Sequence, residues 1–218
     1  MTSDAHFAAL RQTMVDSQLR TVGVNDETVV AAFHAVSRER FVPPALAGLA
    51  YADAALEVAT GRFLLEPLVL GLLLQHVELQ AGERLLIIGA ATGYSAAVAA
   101  ALGARVTAVE SDPALAAMAK AAAGDLPGVS VVEGALADGC PAQAPYDVIL
   151  FEGAIEAIPD SLAAQLAPGG RAAAVVRQGG VGRACAGPLL AGRIAGMGFL
   201  EVAARPLPGF ARPKEFAF

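Results

Sequence analysis

Leu85-Leu86-Ile87-Ile88-Gly89-Ala90-Ala91-Thr92-Gly93-Tyr94 is the stretch whose reading decides the fold of this chain. Four consecutive large aliphatic residues predict a buried strand over 85–88. Gly89 and Gly93 allow a tight strand-to-helix turn and the close approach of a ligand. The Ala-rich run that begins at Tyr94 predicts a helix over 94–102, and its first turn offers unpaired backbone N–H groups. A second strand over 106–109 ends at Glu110, where a carboxylate can accept both hydroxyls of a ribose. The layout is that of a crossover unit able to bind an adenosine-containing cofactor.

The same alternation continues downstream. Asp112-Pro113 opens a helix through residue 123, with proline in its first turn. Further strands are predicted over 129–132, 147–151 and 172–176. A helix over 159–167 ends at the turn Pro168-Gly169-Gly170. Residues 199–202 and 216–218 supply one or two more strands, and Gly179-Gly180-Val181-Gly182-Arg183 reads as a plain loop. Strands alternating with helices argue for a mostly parallel α/β sheet with helices on both faces. Ligands bind such sheets at the carboxyl ends of the strands.

Upstream, residues 4–22 carry helical periodicity, and Asn25 or Asp26 caps a second helix through 35. Pro43-Pro44 forces extended chain. Residues 45–63 read as irregular and partly helical, and Pro67 starts a helix through 77. Residues 1–80 are therefore expected to form an N-terminal helical extension capping the cleft, and 81–218 the α/β domain, as one compact unit.

Composition narrows the function. The 218 residues carry a net charge of −6, with 56% hydrophobic and 17% charged residues. Such a chain is not disordered, and it has no basic excess for nucleic acid. Cys140 and Cys185 form no metal-type pair and read as free thiols, which points to a reducing, cytoplasmic setting. Residues 85–104 carry no charge and have the length of a membrane span. They divide into strand, turn and helix, so no membrane segment is expected. No basic-then-apolar leader precedes Asp4 and His6. His6, His34 and His76 lie far apart, and no metal site is expected. Glu152 and Glu156 follow the fourth strand and read as helix-cap or surface acids.

The dinucleotide fingerprint wants glycine at positions 89, 91 and 94. The chain has Gly89, Ala91 and Tyr94, which disfavours a dinucleotide oxidoreductase. The spacing Gly89-x-x-x-Gly93 instead resembles the first motif of S-adenosylmethionine (SAM) methyltransferases. An ordered series makes the resemblance specific. It comprises Met14-Val15-Asp16-Ser17-Gln18-Leu19-Arg20, Val24-Asn25-Asp26-Glu27, Val36-Ser37-Arg38-Glu39-Arg40-Phe41-Val42-Pro43 and Tyr51-Ala52-Asp53. It continues with the glycine motif, then Ala144-Pro145-Tyr146-Asp147-Val148-Ile149, Ile158-Pro159 and Leu166-Ala167-Pro168-Gly169-Gly170-Arg171. Over residues 10–176 the chain resembles protein-L-isoaspartate O-methyltransferases. The resemblance implies a Rossmann-like, mostly parallel seven-stranded SAM methyltransferase fold. It also implies SAM-dependent methylation of the isoaspartyl carboxylate in damaged proteins.

The family's active-site loop, Gly-x-Gly-Gln-Thr-Ile-Ser-Gln-Pro, aligns with Ala59-Thr60-Gly61-Arg62-Phe63-Leu64-Leu65-Glu66-Pro67. Phe63 and Leu65 replace its hydroxyls, and Arg62 and Glu66 its glutamines. Arg62, Leu65 and Glu66 thus hold the family's catalytic-loop positions. Phe63-Leu64-Leu65 reads as a packing segment, and Arg62 as a solvated charge or a clamp for an acidic substrate. The cofactor positions are Gly89, Ala91, Gly93, Glu110, Ala135 and Leu136. Among them Ala91 replaces a glycine and Ala135 the aspartate that would hold the adenine amino group, while Ile87 stands where an acidic residue is usual. Glu110 is retained. SAM binding is expected to be weak or lost, and isoaspartyl repair with it. Two readings stay open: a divergent methyltransferase, or a non-catalytic relative that binds a protein or small molecule with the same scaffold. If the cleft is abandoned, apolar side chains should fill the space of the adenine.

Overall fold

The computed structural model describes residues 2–212, with side chains from Asp4 onward. The glycine motif lies where the sequence pattern puts it. Helix α1 (Thr2–Met14) continues through one π turn and one 3₁₀ turn and stops at Gly23, whose φ of +109° ends the run. Helix α2 (Glu27–Ala35) is capped by the Asp26 carboxylate, which accepts from the Thr28 and Val29 amides at 2.8 and 3.3 Å. Two 3₁₀ turns follow, then a short antiparallel hairpin of β1 (Leu56–Ala59) and β2 (Arg62–Leu64). This hairpin corrects the irregular reading of 45–63. Its turn is made by Gly61 at φ +70°, and a bulge between Glu57 and Ala59 adjusts its register. Helix α3 (Pro67–His76) starts on its proline.

The main sheet then builds outward from β3 (Arg84–Ile88). Helix α4 (Tyr94–Ala101) leads to β4 (Arg105–Glu110), and α5 (Pro113–Ala123) to β5 (Val129–Glu133). The chain crosses back to β6 (Tyr146–Ile155), then α6 (Asp160–Ala163) and β7 (Leu166–Gln178). Last come β8 (Val181–Leu190), the two-residue β9 (Arg193–Ile194) and β10 (Leu200–Val202). The spatial order is β10-β8-β7-β6-β3-β4-β5, with β9 beside β8. The strands from β5 across to β7 are parallel, while β8, β9 and β10 join antiparallel.

The expected class therefore holds, with three differences. The described sheet has eight strands, not seven. Of the 179–183 loop only Gly179 and Gly180 form a turn, and Val181 to Arg183 begin β8 in a long β7–β8 hairpin in which Gln178 pairs with Val181. The helix expected over 159–167 shrinks to α6, and Pro168-Gly169-Gly170 belongs to a bulge: Tyr146 pairs with Leu166, but Val148 pairs with Arg171. The strand expected over 216–218 lies outside the described residues.

Alternation along the strands divides the core in two. Leu85, Ile87, Val148 and Leu150 pack on the first face with α3, α4 and α5. Leu86, Ile88, Ile149 and Phe151 pack on the second. Among the described residues that second face carries α6, single 3₁₀ turns and the tail around Leu207 and Phe210, so the two faces are clad unequally. The N-terminal elements dock on the first face through Tyr94. Its ring is buried, meets Phe33 and Phe41 edge-on at 6.2 and 5.6 Å, and carries the Arg38 guanidinium 4.5 Å above its centre.

Gly93 shows why the motif needs glycine. It sits at φ +91°, and a methyl group there would lie 3.2 Å from the Ala119 Cβ on α5. Gly93→Ala should cost about 1–3 kcal/mol, read as a lower midpoint in urea unfolding. An unchanged midpoint would show that α4 and α5 are free to separate.

Candidate functional site

The order reversal at β3 leaves a crevice at the strands' carboxyl ends, beside Gly89. Glu110 ends β4 and is fully buried there. Its carboxylate accepts from the backbone amides of Ala91 at 2.7 Å, Ser111 at 2.8 Å and Asp112 at 2.9 Å. This is the acceptor that the sequence reading assigns to a ribose. Its other partner is Arg62. The hairpin strand β2 delivers the guanidinium so that Nη1 donates to Oε1 at 2.5 Å and Nη2 to Oε2 at 2.6 Å. Arg62 is only 7% exposed, so it is neither a solvated charge nor free to clamp a substrate.

The tail closes the same crevice from the other side. Residues 205–210 run along the end of β6. The Ala154 amide donates to the Arg205 carbonyl, the Leu207 amide to the Ala154 carbonyl, and the Glu156 amide to the Phe210 carbonyl, at 2.8–2.9 Å. Phe210 meets the Phe151 ring edge-on at 5.4 Å. The Leu207 side chain lies where a Cβ on Gly89 or on Gly153 would stand, 2.7 Å from each such position. Hairpin and tail also touch: the Arg205 guanidinium sits 5.6 Å above the Phe63 ring centre. The space left among Arg62, Phe63, Glu152 and Leu207 is about 20 Å³, room for one water and far below a ligand pocket of 300–1,000 Å³. In this conformation the residues do not fit a bound adenosine.

The structure brings Gly89, Ala91 and Glu110 together at one place and adds Arg62 to them. Gly93 caps α4 behind them, and Ala91 holds a left-handed φ of +48°. Ile87 packs in the first-face core with Ala90 and Ala91. Ala135 is exposed, and Leu136 is buried in the second-face core with Val109 and Leu207. Leu65 is buried, and its carbonyl accepts from Arg38 Nη2 at 2.8 Å. Glu66 precedes α3 half-buried, and burial followed by the charge of Asp53 raises its pKa. The surface reading of Glu152 is corrected. It is 2% exposed, accepts a hydrogen bond from the Ser95 hydroxyl, and its Oε1 has no partner among the described residues. Burial pushes its pKa up to about 8, against the pull of Ser95, Arg38 and Arg62. Glu156 does lie toward the surface, bound to the Arg212 amide at 3.0 Å. Leu207 escaped sequence reasoning altogether. No group of metal-ligating side chains occurs among the described residues.

Residues 10–183 match the family model described as protein-L-isoaspartate(D-aspartate) O-methyltransferase. The chain belongs to that family. The protein-L-isoaspartate O-methyltransferase of Methylorubrum extorquens (strain PA1) is 43% identical over 166 residues, 75% of this chain and 72% of the relative. That of Methanoculleus marisnigri is 38% identical over 168 residues, 76% of each. A solved protein-L-isoaspartate O-methyltransferase superposes with TM-score 0.68 at 25% identity, over 86% of this chain and 66% of that one. A Plasmodium falciparum beta-aspartate methyltransferase, solved in complex with S-adenosyl-L-homocysteine (SAH), shares the fold with TM-score 0.70 at 15% identity, over 81% and 88%. The protein-L-isoaspartate O-methyltransferase family match stops at Arg183, so the tail that carries Leu207 lies beyond it.

Proposed function

We propose that this chain is a SAM-dependent carboxyl O-methyltransferase by descent whose isoaspartyl repair is weak or lost. One observation carries the reading: every acceptor direction of Glu110 that a ribose would use is taken by Arg62 and three backbone amides. The loop that should bind substrate adds to it. Phe63 and Leu65 offer no donor or acceptor for a carboxylate, and Leu65 is packed in the core. Glu152, uncharged near neutral pH, and Glu66 are the acidic groups left in the gap. The filling of the cleft by Arg62 and Leu207 also favours the second reading, a non-catalytic relative that binds a protein or small molecule. We place the protein in the cytoplasm, since Cys140 and Cys185 are unbridged and no described helix is long and apolar enough to cross a membrane.

Incubation with an isoaspartyl peptide and labelled SAM tests the reading. Methyl incorporation should fall at least about a hundredfold below a family enzyme assayed alongside, a loss of about 2.7 kcal/mol in transition-state stabilisation. Turnover equal to that enzyme would sink the proposal. Calorimetry with SAM, SAH and NAD separates a weakened methyltransferase from a binding protein and from a dinucleotide enzyme.

A further inference from the structure

We propose that Arg62 and Leu207 form a two-part latch that occupies the nucleoside site the fold provides, so that the chain carries its own competitor for that site. This deepens the reading above and rests on it. The parts come from distant stretches of the chain, from the hairpin β1–β2 and from the 205–210 strap. They engage different halves of one crevice. Arg62 offers Glu110 two parallel N–H donors, the same demand that a vicinal diol meets with two O–H donors. Leu207 lies over Gly89 and Gly153, two cleft positions where a side chain is missing. The Arg205–Phe63 contact couples the halves, so displacing one loosens the other.

The floor under the latch is not collapsed. Gly89 keeps its φ of +80°, the Ala91 amide points at the Glu110 carboxylate, and Gly93 still starts α4. At its base the hairpin is anchored by Leu56, Val58 and Leu64 in the first-face core. The hairpin has only four and three residues per strand, and it is a separate two-stranded sheet outside the main one. Lifting its Arg62 end away from Glu110 returns both charges to water, so neither is stranded in the interior. A ligand for the site pays this opening as a reduced apparent affinity.

Titrating SAH by calorimetry into wild type, Arg62→Ala, Leu207→Ala and the double variant tests the latch. The double variant should bind at least about tenfold more tightly than wild type, and each single variant less than the double. Circular dichroism reports whether each variant keeps its fold. A folded double variant that binds no SAH would overturn the proposal, and so would wild type binding as tightly as the double. Should the double variant unfold, amide exchange on wild type at millimolar SAH decides. Exchange in residues 56–64 must rise, and any other result rejects the latch. SAH binding requires no methyl transfer, so this outcome is independent of the isoaspartyl assay.

Discussion

Glu110→Ala is expected to cost about 3–5 kcal/mol of folding stability, the range for removing one partner of a buried ion pair. The substitution strands a guanidinium that is only 7% exposed. It also leaves the Ala91, Ser111 and Asp112 amides without their acceptor. Since small domains are stable by about 5–15 kcal/mol, the variant should be close to unfolding at 37 °C. Glu110→Gln keeps one carbonyl oxygen for the amides and should cost less. Pairing Glu110→Ala with Arg62→Met removes the stranded charge and should recover a large part of the loss. Urea unfolding of wild type, Glu110→Ala, Arg62→Met and the double variant closes the double-mutant cycle. If Glu110→Ala shifts stability by less than about 1 kcal/mol, the pair is hydrated and the cleft is not sealed.

The second large effect is one of pH and belongs to Glu152. Its carboxyl moves from an ordinary value of 4.5 to about 8 in the folded chain, chiefly through burial. Below about pH 4.5 both the folded and unfolded states hold the proton. Between about 4.5 and 8 only the folded state holds it, so unfolding releases a proton and stability falls as pH rises. Above about 8 both states are ionised and the slope ends. The accumulated loss is several kcal/mol, since each unit of difference is worth about 1.4 kcal/mol. Glu152→Gln keeps an oxygen for the Ser95 hydroxyl and has no proton to lose. The difference between its melting temperature and that of wild type should therefore be small at pH 5 and grow steadily to pH 8. A difference that stays flat over this range would show that Glu152 is already ionised in the folded state, with Arg38 or Arg62 as its counter-charge.

The parallel half of the fold was legible in the sequence because local signals and the global arrangement agree there. Ile87-Ile88-Gly89, Asp112-Pro113 and Pro67 each fix an element boundary by a local rule, and each boundary stands within a residue or two. Strand β8 was not legible. Gly182, Cys185, Gly187 and Pro188 hide its strand character, and pairing with β7 rather than intrinsic preference makes it a strand. The second half of the site failed for a related reason. Glu110 could be placed from its position after β4, but its partner lies 48 residues earlier on a hairpin with no helical or strand periodicity of its own. Glu152 looked like a surface acid because a carboxylate with no fixed counter-charge is rarely buried. Its neutral form removes that objection.

The ion pair between Arg62 and Glu110 also changes how selection acts on position 110. A bound cofactor is one contact that can keep an acid at this position. Here an arginine of the same chain holds it as well, so the acid would stay under constraint with or without a cofactor. An acidic residue at this point in a relative is therefore no marker of catalysis by itself. The informative pattern is joint. Lineages that acquire the arginine at 62 should also acquire a bulky aliphatic residue at 207, and lineages that lose one should drift at the other.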